Sequence, residues 1–482
     1  MCAEAITNGH NAVTAANVVG SRANPAGSYS EAMTTAVNAK VYVLGNNTSI
    51  TNNGSACADT VLGIGGIVNG TGETILLGNS GGLTVNGGNN TISTGTNDAL
   101  TLNGNTETVT AGAGTTILDK SGTGDTIQGS SLTIDSFGGT SLTLTGNNDT
   151  ILAQGAGDSV TLAGTGDSLT LTGDHGTGVA TGAGSSVLGT GAYDFAATNG
   201  AGALAEVTGA YATAETFAAG AEAVSYGAYG SAIAVGAGAE AVSLGLGGTA
   251  TTYGANAIAN TVGDYGLAWA HGTGGLAITN GYNAEAAADG VSGAAVTTGA
   301  FSEAVSFLGT ATTWGANAIA YTLANYAQAT AKGVGGEAVT NGYDAVAVAN
   351  GIGGWAITTC ATSEAVATAA GGTAETFGVA AEAVAEGVNG LAETFNVNST
   401  ALGNRPLSLA ERLWRRSPRY RSALAQWRRP PCSRLSPPPR VRIESAASMA
   451  SASARSLGTV LSPARMPRSP RAMPYFGAVS PK

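Results

Sequence analysis

A glycine returns every nine residues through the middle of this chain, at 146, 155, 164, 173, 182, 191, 200 and 209, and this period decides what the chain can fold into. A nine-residue step turns a 3.6-residue helix by half a revolution, so successive units would build no single apolar stripe. A glycine in each unit would also cost a helix about 1 kcal/mol apiece. A turn followed by a short strand fits instead. Gly155-Ala-Gly-Asp-Ser-Val-Thr-Leu-Ala163 and Gly164-Thr-Gly-Asp-Ser-Leu-Thr-Leu-Thr172 each open on turn residues and close on apolar–polar alternation, the signature of a half-buried strand.

With the glycine as position 1, positions 6 and 8 carry Val160 and Leu162, then Leu169 and Leu171, and these face inward. The phase continues into the second half with smaller residues. Position 6 is alanine at every ninth place from Ala196 to Ala304, and again from Ala311 to Ala401 after a two-residue deletion near Phe307. Large and charged side chains there take odd positions, as with Glu222, Glu240, Phe217, Tyr253 and Trp314, or the turn, as with Tyr211 and Tyr229. Odd positions therefore point outward. The predicted fold is all-β: a β-solenoid, a β-roll or β-helix of nonapeptides with two short strands per coil. Its small interior brings the two sheets closer than the usual ~10 Å. Thr249-Ala-Thr-Thr-Tyr-Gly-Ala-Asn-Ala-Ile-Ala259 returns as Thr310-Ala-Thr-Thr-Trp-Gly-Ala-Asn-Ala-Ile-Ala320, a longer repeat laid over the short one.

Charge divides the chain. Of 20 basic residues 16 follow Asn404, with 2 of the 31 acids, so the body holds 4 bases against 29 acids. Twelve of 13 prolines follow Ala401. Four segments result: 1–60, an irregular capping segment; 61–190, a solenoid with an Ile/Val/Leu core; 191–404, a solenoid with an Ala/Gly/Ser core; and 405–482, an Arg/Pro/Ser-rich tail that reads as disordered. The loss of repeat, inverted charge and surge of proline at one point favour a change of reading frame over a genuine electrostatic arm for nucleic acid or an anionic surface. Cys2, Cys57, Cys360 and Cys432 lack the close pairs of a zinc site and read as plain thiols. No apolar run approaches the ~18 residues of a membrane span. The first residues lack a signal-peptide pattern, so export would use another signal or the true N-terminus is missing.

The run Gly-x-Gly-Asp-Ser-Val-Thr-Leu-x resembles the nonapeptide β-rolls of haemolysin-type secreted proteins. That resemblance implies calcium as cofactor, held by Asp125, Asp149, Asp158 and Asp167, although the aspartate here comes three residues after position 1. The residues themselves also permit turn aspartates that accept local amides. The second half, with rhythms such as Ser231-Ala-Ile-Ala-Val-Gly236, is similar to the head repeats of bacterial trimeric autotransporter adhesins. This implies an extracellular or cell-surface structural protein without catalysis, partnered by a host or neighbouring cell surface, carbohydrate or matrix, or by copies of itself.

Other chemistry finds little support. Gly78-Asn-Ser-Gly-Gly82 looks like a protease nucleophile loop but keeps repeat phase, and His10, His175 and His271 have no evident partnership with it. A polysaccharide-cleaving β-helix needs acids and bases converging with Arg or Lys, and the body's four bases are far apart. An ice-binding face needs threonine arrays on every coil. Outward Trp269, Trp314 and Trp355 suit stacking on sugars.

Overall fold

The structure, a computed structural model, describes residues 66–403 apart from Ser121 and Val397, together with strands and a few turn residues between Glu4 and Leu62. Every described residue in a regular element is in a strand. Each strand is four or five residues long in most units and pairs in parallel with the next strand but one: Thr150–Ala153 with Ser168–Leu171, and Ser159–Ala163 with Thr177–Ala180. Two strands therefore make one coil. Partners such as Thr150↔Ser168 lie 18 residues apart. About 19 turns stack in this way through residues 66–403, roughly 90 Å of ladder at the inter-strand spacing.

The glycine period follows from how coils meet at their corners. A Cβ built on Gly164 would collide with the backbone carbonyl oxygen of Gly146, and one on Gly182 with that of Gly164. In these coils consecutive position-1 backbones touch, leaving no room for a side chain, whereas Ala218, Ala324, Cys360 and Ala369 hold that position further on.

Positions 6 and 8 point inward, as the alternation requires. Leu142, Leu144, Ile151, Val160, Leu162, Leu169 and Leu171 are buried in the first region; Ala196, Ala205, Ala214 and their successors are buried in the second. The second region fits its corners closely. A Cβ on Gly275 would lie 3.2 Å from that of Ala270, while one on Gly230 or Gly248 would collide with the hydroxyl of Ser225 or Ser243. Glycine at position 4 thus makes space for the position-8 side chain of the preceding strand.

The two-residue deletion is visible as a change of register. Partners step by 18 at Glu285↔Glu303 but by 16 at Ala294↔Thr310 and Glu303↔Ile319. Around it, strands Glu285–Thr297 and Glu303–Thr313 run through a corner, with Val291 opposite Leu308.

Two readings of the sequence need correction. Residues 1–60, expected as an irregular cap, contain strands of the same ladder: Glu4↔Arg22, Arg22↔Lys40 and Lys40↔Ala58 on one side, Val13↔Glu31 and Glu31↔Ser49 on the other. Cys360, read as a plain thiol, is disulfide-bonded. The tail assigned to 405–482 lies outside the described residues.

Candidate functional site

Two constellations hold the polar and aromatic chemistry of the coils: polar side chains at position 4 inside, and an aromatic platform outside.

Position 4 has the same parity as positions 6 and 8, so its side chain turns into the coil at the corner. Asp98, Asp125, Asp149, Asp158, Asp167 and Asp194 are each no more than 2% exposed. The local backbone explains their use. Ser168 N–H donates to the Asp149 carbonyl at 2.8 Å, continuing the ladder, while the amide of each position-4 residue needs an acceptor from elsewhere. A position-4 side chain one coil later supplies it. Leu132 N–H donates to Asp149 Oδ1 at 2.8 Å, Asp149 N–H to Asp167 Oδ1 at 3.1 Å, and Thr140 N–H to Asp158 Oδ1 at 2.7 Å.

The second carboxyl oxygens differ. Asp158 Oδ2 accepts Gly155 N–H at 2.7 Å, and Asp194 Oδ2 accepts Gly191 N–H at 2.7 Å. The Oδ2 atoms of Asp98, Asp149 and Asp167 are buried without a hydrogen-bond partner. Burial pushes Asp149 up to about 6, Asp167 adding to the rise, and raises Asp167 as well. Asp125 sits against Asp119 near Gly122, whose N–H donates to Asp119 Oδ1 at 2.9 Å. Burial, and then the charge of Asp119, pushes Asp125 up to about 7.

These residues do not fit a calcium site. A hard cation takes six to eight oxygens around one point, whereas Asp149 and Asp167 stand one coil apart in one corner, Asp158 is on the alternate strand series, and Asp125 lies in a different coil. Amide protons already point at the Oδ1 atoms of all four. Among the described residues no three His, Cys, Asp or Glu side chains gather as metal ligands.

On the outer face, register aligns Tyr253, His271 and Asp289 in one row, Thr251, Trp269 and Ala287 in the next, and Leu267, Glu285 and Glu303 in a third. Tyr253 stacks on His271 with centroids 4.9 Å apart, Trp269 lies 5.5 Å from His271, and His271 Nδ1 is 3.7 Å from Asp289 Oδ2. Trp269 is 40% exposed beside the buried, small Ala287. Burial raises both Glu285 and Glu303, and Glu285 adds to the rise of Glu303.

The other two tryptophans among the described residues are engaged. Lys332 Nζ lies 3.8 Å over the Trp314 ring. Trp355 Nε1 donates to Glu375 Oε1 at 3.1 Å. Glu375 holds an outward position yet is only 6% exposed, and burial, then Glu393, pushes it up to about 7. Along one corner His175, Tyr193, Tyr211 and Tyr229 stack at 5.0–5.2 Å. Their faces cover one another, leaving ring edges outward. Ser80, of the protease-like loop, is a left-handed turn residue, φ 54°, whose N–H bonds Thr96 O.

Comparison of the chain with protein-family models, curated proteins and solved structures finds no match. The class is defined by the coils themselves: this is a β-solenoid repeat protein.

Proposed function

We propose that the chain is an extracellular or cell-surface structural protein of adhesin-like character, whose acidic solenoid presents the Trp269 face to carbohydrate. The observation that carries this reading is the platform: an exposed indole flanked by the stacked Tyr253–His271 pair, with Asp289 and Glu285 in the neighbouring coil. An aromatic face takes the C–H face of a pyranose ring, and carboxylates accept its hydroxyls. The flat ladder beneath keeps the groups at fixed spacing without reorganisation on binding. The interior polar groups serve the coils and offer no substrate a route to them.

The test is retention of the full chain on insoluble polysaccharides and immobilised glycans. Trp269→Ala is expected to lower retention at least tenfold and Trp314→Ala to leave it near the wild-type value. Equal retention of the two variants, or none by the wild type, contradicts the reading.

A further inference from the structure

The position-4 corner is filled by different side chains in different coils, and together they reveal what it demands. Ser302 Oγ accepts Ala284 N–H at 3.1 Å and donates to Gly281 O at 2.9 Å. Ser363 Oγ accepts Ala345 N–H at 3.2 Å and donates to Gly342 O at 2.8 Å. Asn90 does the same with two atoms: Oδ1 accepts Glu73 N–H at 2.8 Å, and Nδ2 donates to Gly70 O at 3.3 Å. The corner therefore asks for one acceptor, toward the position-4 amide of the previous coil, and one donor, toward that coil's position-1 carbonyl.

Asp149 and Asp167 meet the first demand through Oδ1. Their Oδ2 atoms stand where the donor belongs. A Cβ built on Gly146 would collide with both Gly129 O and Asp149 Oδ2, and one on Gly164 would collide with Gly146 O and lie 2.8 Å from Asp167 Oδ2. Carbonyl and carboxyl oxygens thus converge across each glycine. If both were bare acceptors, their lone pairs would oppose one another in a dry corner. The charged groups packed around the pair give no relief. Asp149 and Asp167 face each other along one corner, Asp158 stands in the other, and the chain has no Lys or Arg between Gly129 and Ser185. His175 lies in an outward turn, stacked on Tyr193.

We propose that Asp149 and Asp167 act as proton-holding hydrogen-bond donors, carrying the proton on Oδ2 and giving it to the carbonyls of Gly129 and Gly146, the task that serine and asparagine perform in other coils. Asp158 and Asp194, whose second oxygens accept Gly155 and Gly191 amides, need no such proton. The residues that a β-roll would spend on calcium are here spent on closing corners with protons. Burial favours the neutral form in the same direction.

The test uses the full chain and the double variant Asp149→Asn/Asp167→Asn, in which the amide repeats the Asn90 arrangement and cannot titrate. Infrared spectra at pH 5.5 should show protonated carboxylic acid that the double variant loses in part. Site-resolved carbon NMR should give Asp149 a midpoint near 6, well above an ordinary aspartate. The variant should melt higher than wild type at pH 8, with the gap closing toward pH 5, and calcium or chelator should move neither protein. The inference is overturned by an Asp149 midpoint near 4, by a melting difference independent of pH, or by calcium stabilising the wild type but not the variant.

Discussion

The coils of 66–190 and those of 191–403 share one backbone geometry and fill it in opposite ways. In the first region, leucines, isoleucines and valines such as Ile134, Leu142, Leu144 and Ile151 occupy the middle of the coil, and carboxyls close its corners. In the second, alanine holds the middle and glycine, alanine or serine the corners, while Thr261, Thr279 and Thr297 turn buried hydroxyls inward. Removing water from large aliphatic area stabilises the first at about 25 cal/mol per Å². The second buries little area per residue and relies on continuous backbone ladders and close fit. A solenoid can thus hold its shape on backbone pairing alone, provided nothing inside exceeds the space between its walls.

That contrast can be broken at several points. The largest effects are expected where the backbones touch and where the walls are closest. Gly164→Ala places a methyl group on the Gly146 carbonyl and should open the ladder locally, read as amide exchange in neighbouring coils on both sides. Ala268→Leu, three extra carbons in a filled interior, should cost at least about 3 kcal/mol in denaturant unfolding. Leu144→Ala in the first region should cost about 2–5 kcal/mol by loss of burial and a residual cavity. The same measurement on Val242→Ala, an outward position of the second region, should show under about 1 kcal/mol. Near-equal losses for Leu144→Ala and Val242→Ala would erase the distinction between inside and outside.

Acidity should act on the first region through its buried carboxyls. Glu107 and Asp125 are pushed up to about 7 and Asp149 to about 6, chiefly by burial. Since these folded values lie above the unfolded ones, the folded state binds more protons; stability is greatest below about pH 4 and is lost as pH rises toward 7. Exchange protection of first-region amides should therefore increase from pH 8 to pH 5, after correction for intrinsic rates. Protection that falls over this range would contradict the sign. Among the corner contacts, Ser302→Ala orphans Ala284 N–H and Gly281 O and should cost about 1 kcal/mol.

Much of this architecture was legible from residue spacing. The nine-residue glycine step gave the turn, the parity of Val160 and Leu162 gave the inward face, and the jump from Ala304 to Ala311 gave the short coil seen at Glu303↔Ile319. The first sixty residues were misread because Val18 and Ala36 interrupt the nine-residue glycine step. Gly9, Gly27, Gly45 and Gly63 nevertheless recur at 18, a whole coil, and a search at that period finds the ladder. The corner aspartates were read as turn groups because aspartate is common in turns. Parity placed them with positions 6 and 8, but only the opposing amides and carbonyls of adjacent coils distinguish Asp158 from Asp149. The Trp269 platform needed register: Tyr253, His271 and Asp289 are 18 residues apart in sequence and adjacent across the sheet.

The most direct test of two strands per 18-residue coil is a distance between spin labels at outward positions Thr177 and Glu285. Six coils separate them along one ladder, which predicts a narrow distribution near 29 Å at about 4.8 Å per coil. A distance near 58 Å, the value for nine residues per coil at about the same rise, or a broad distribution would contradict the account.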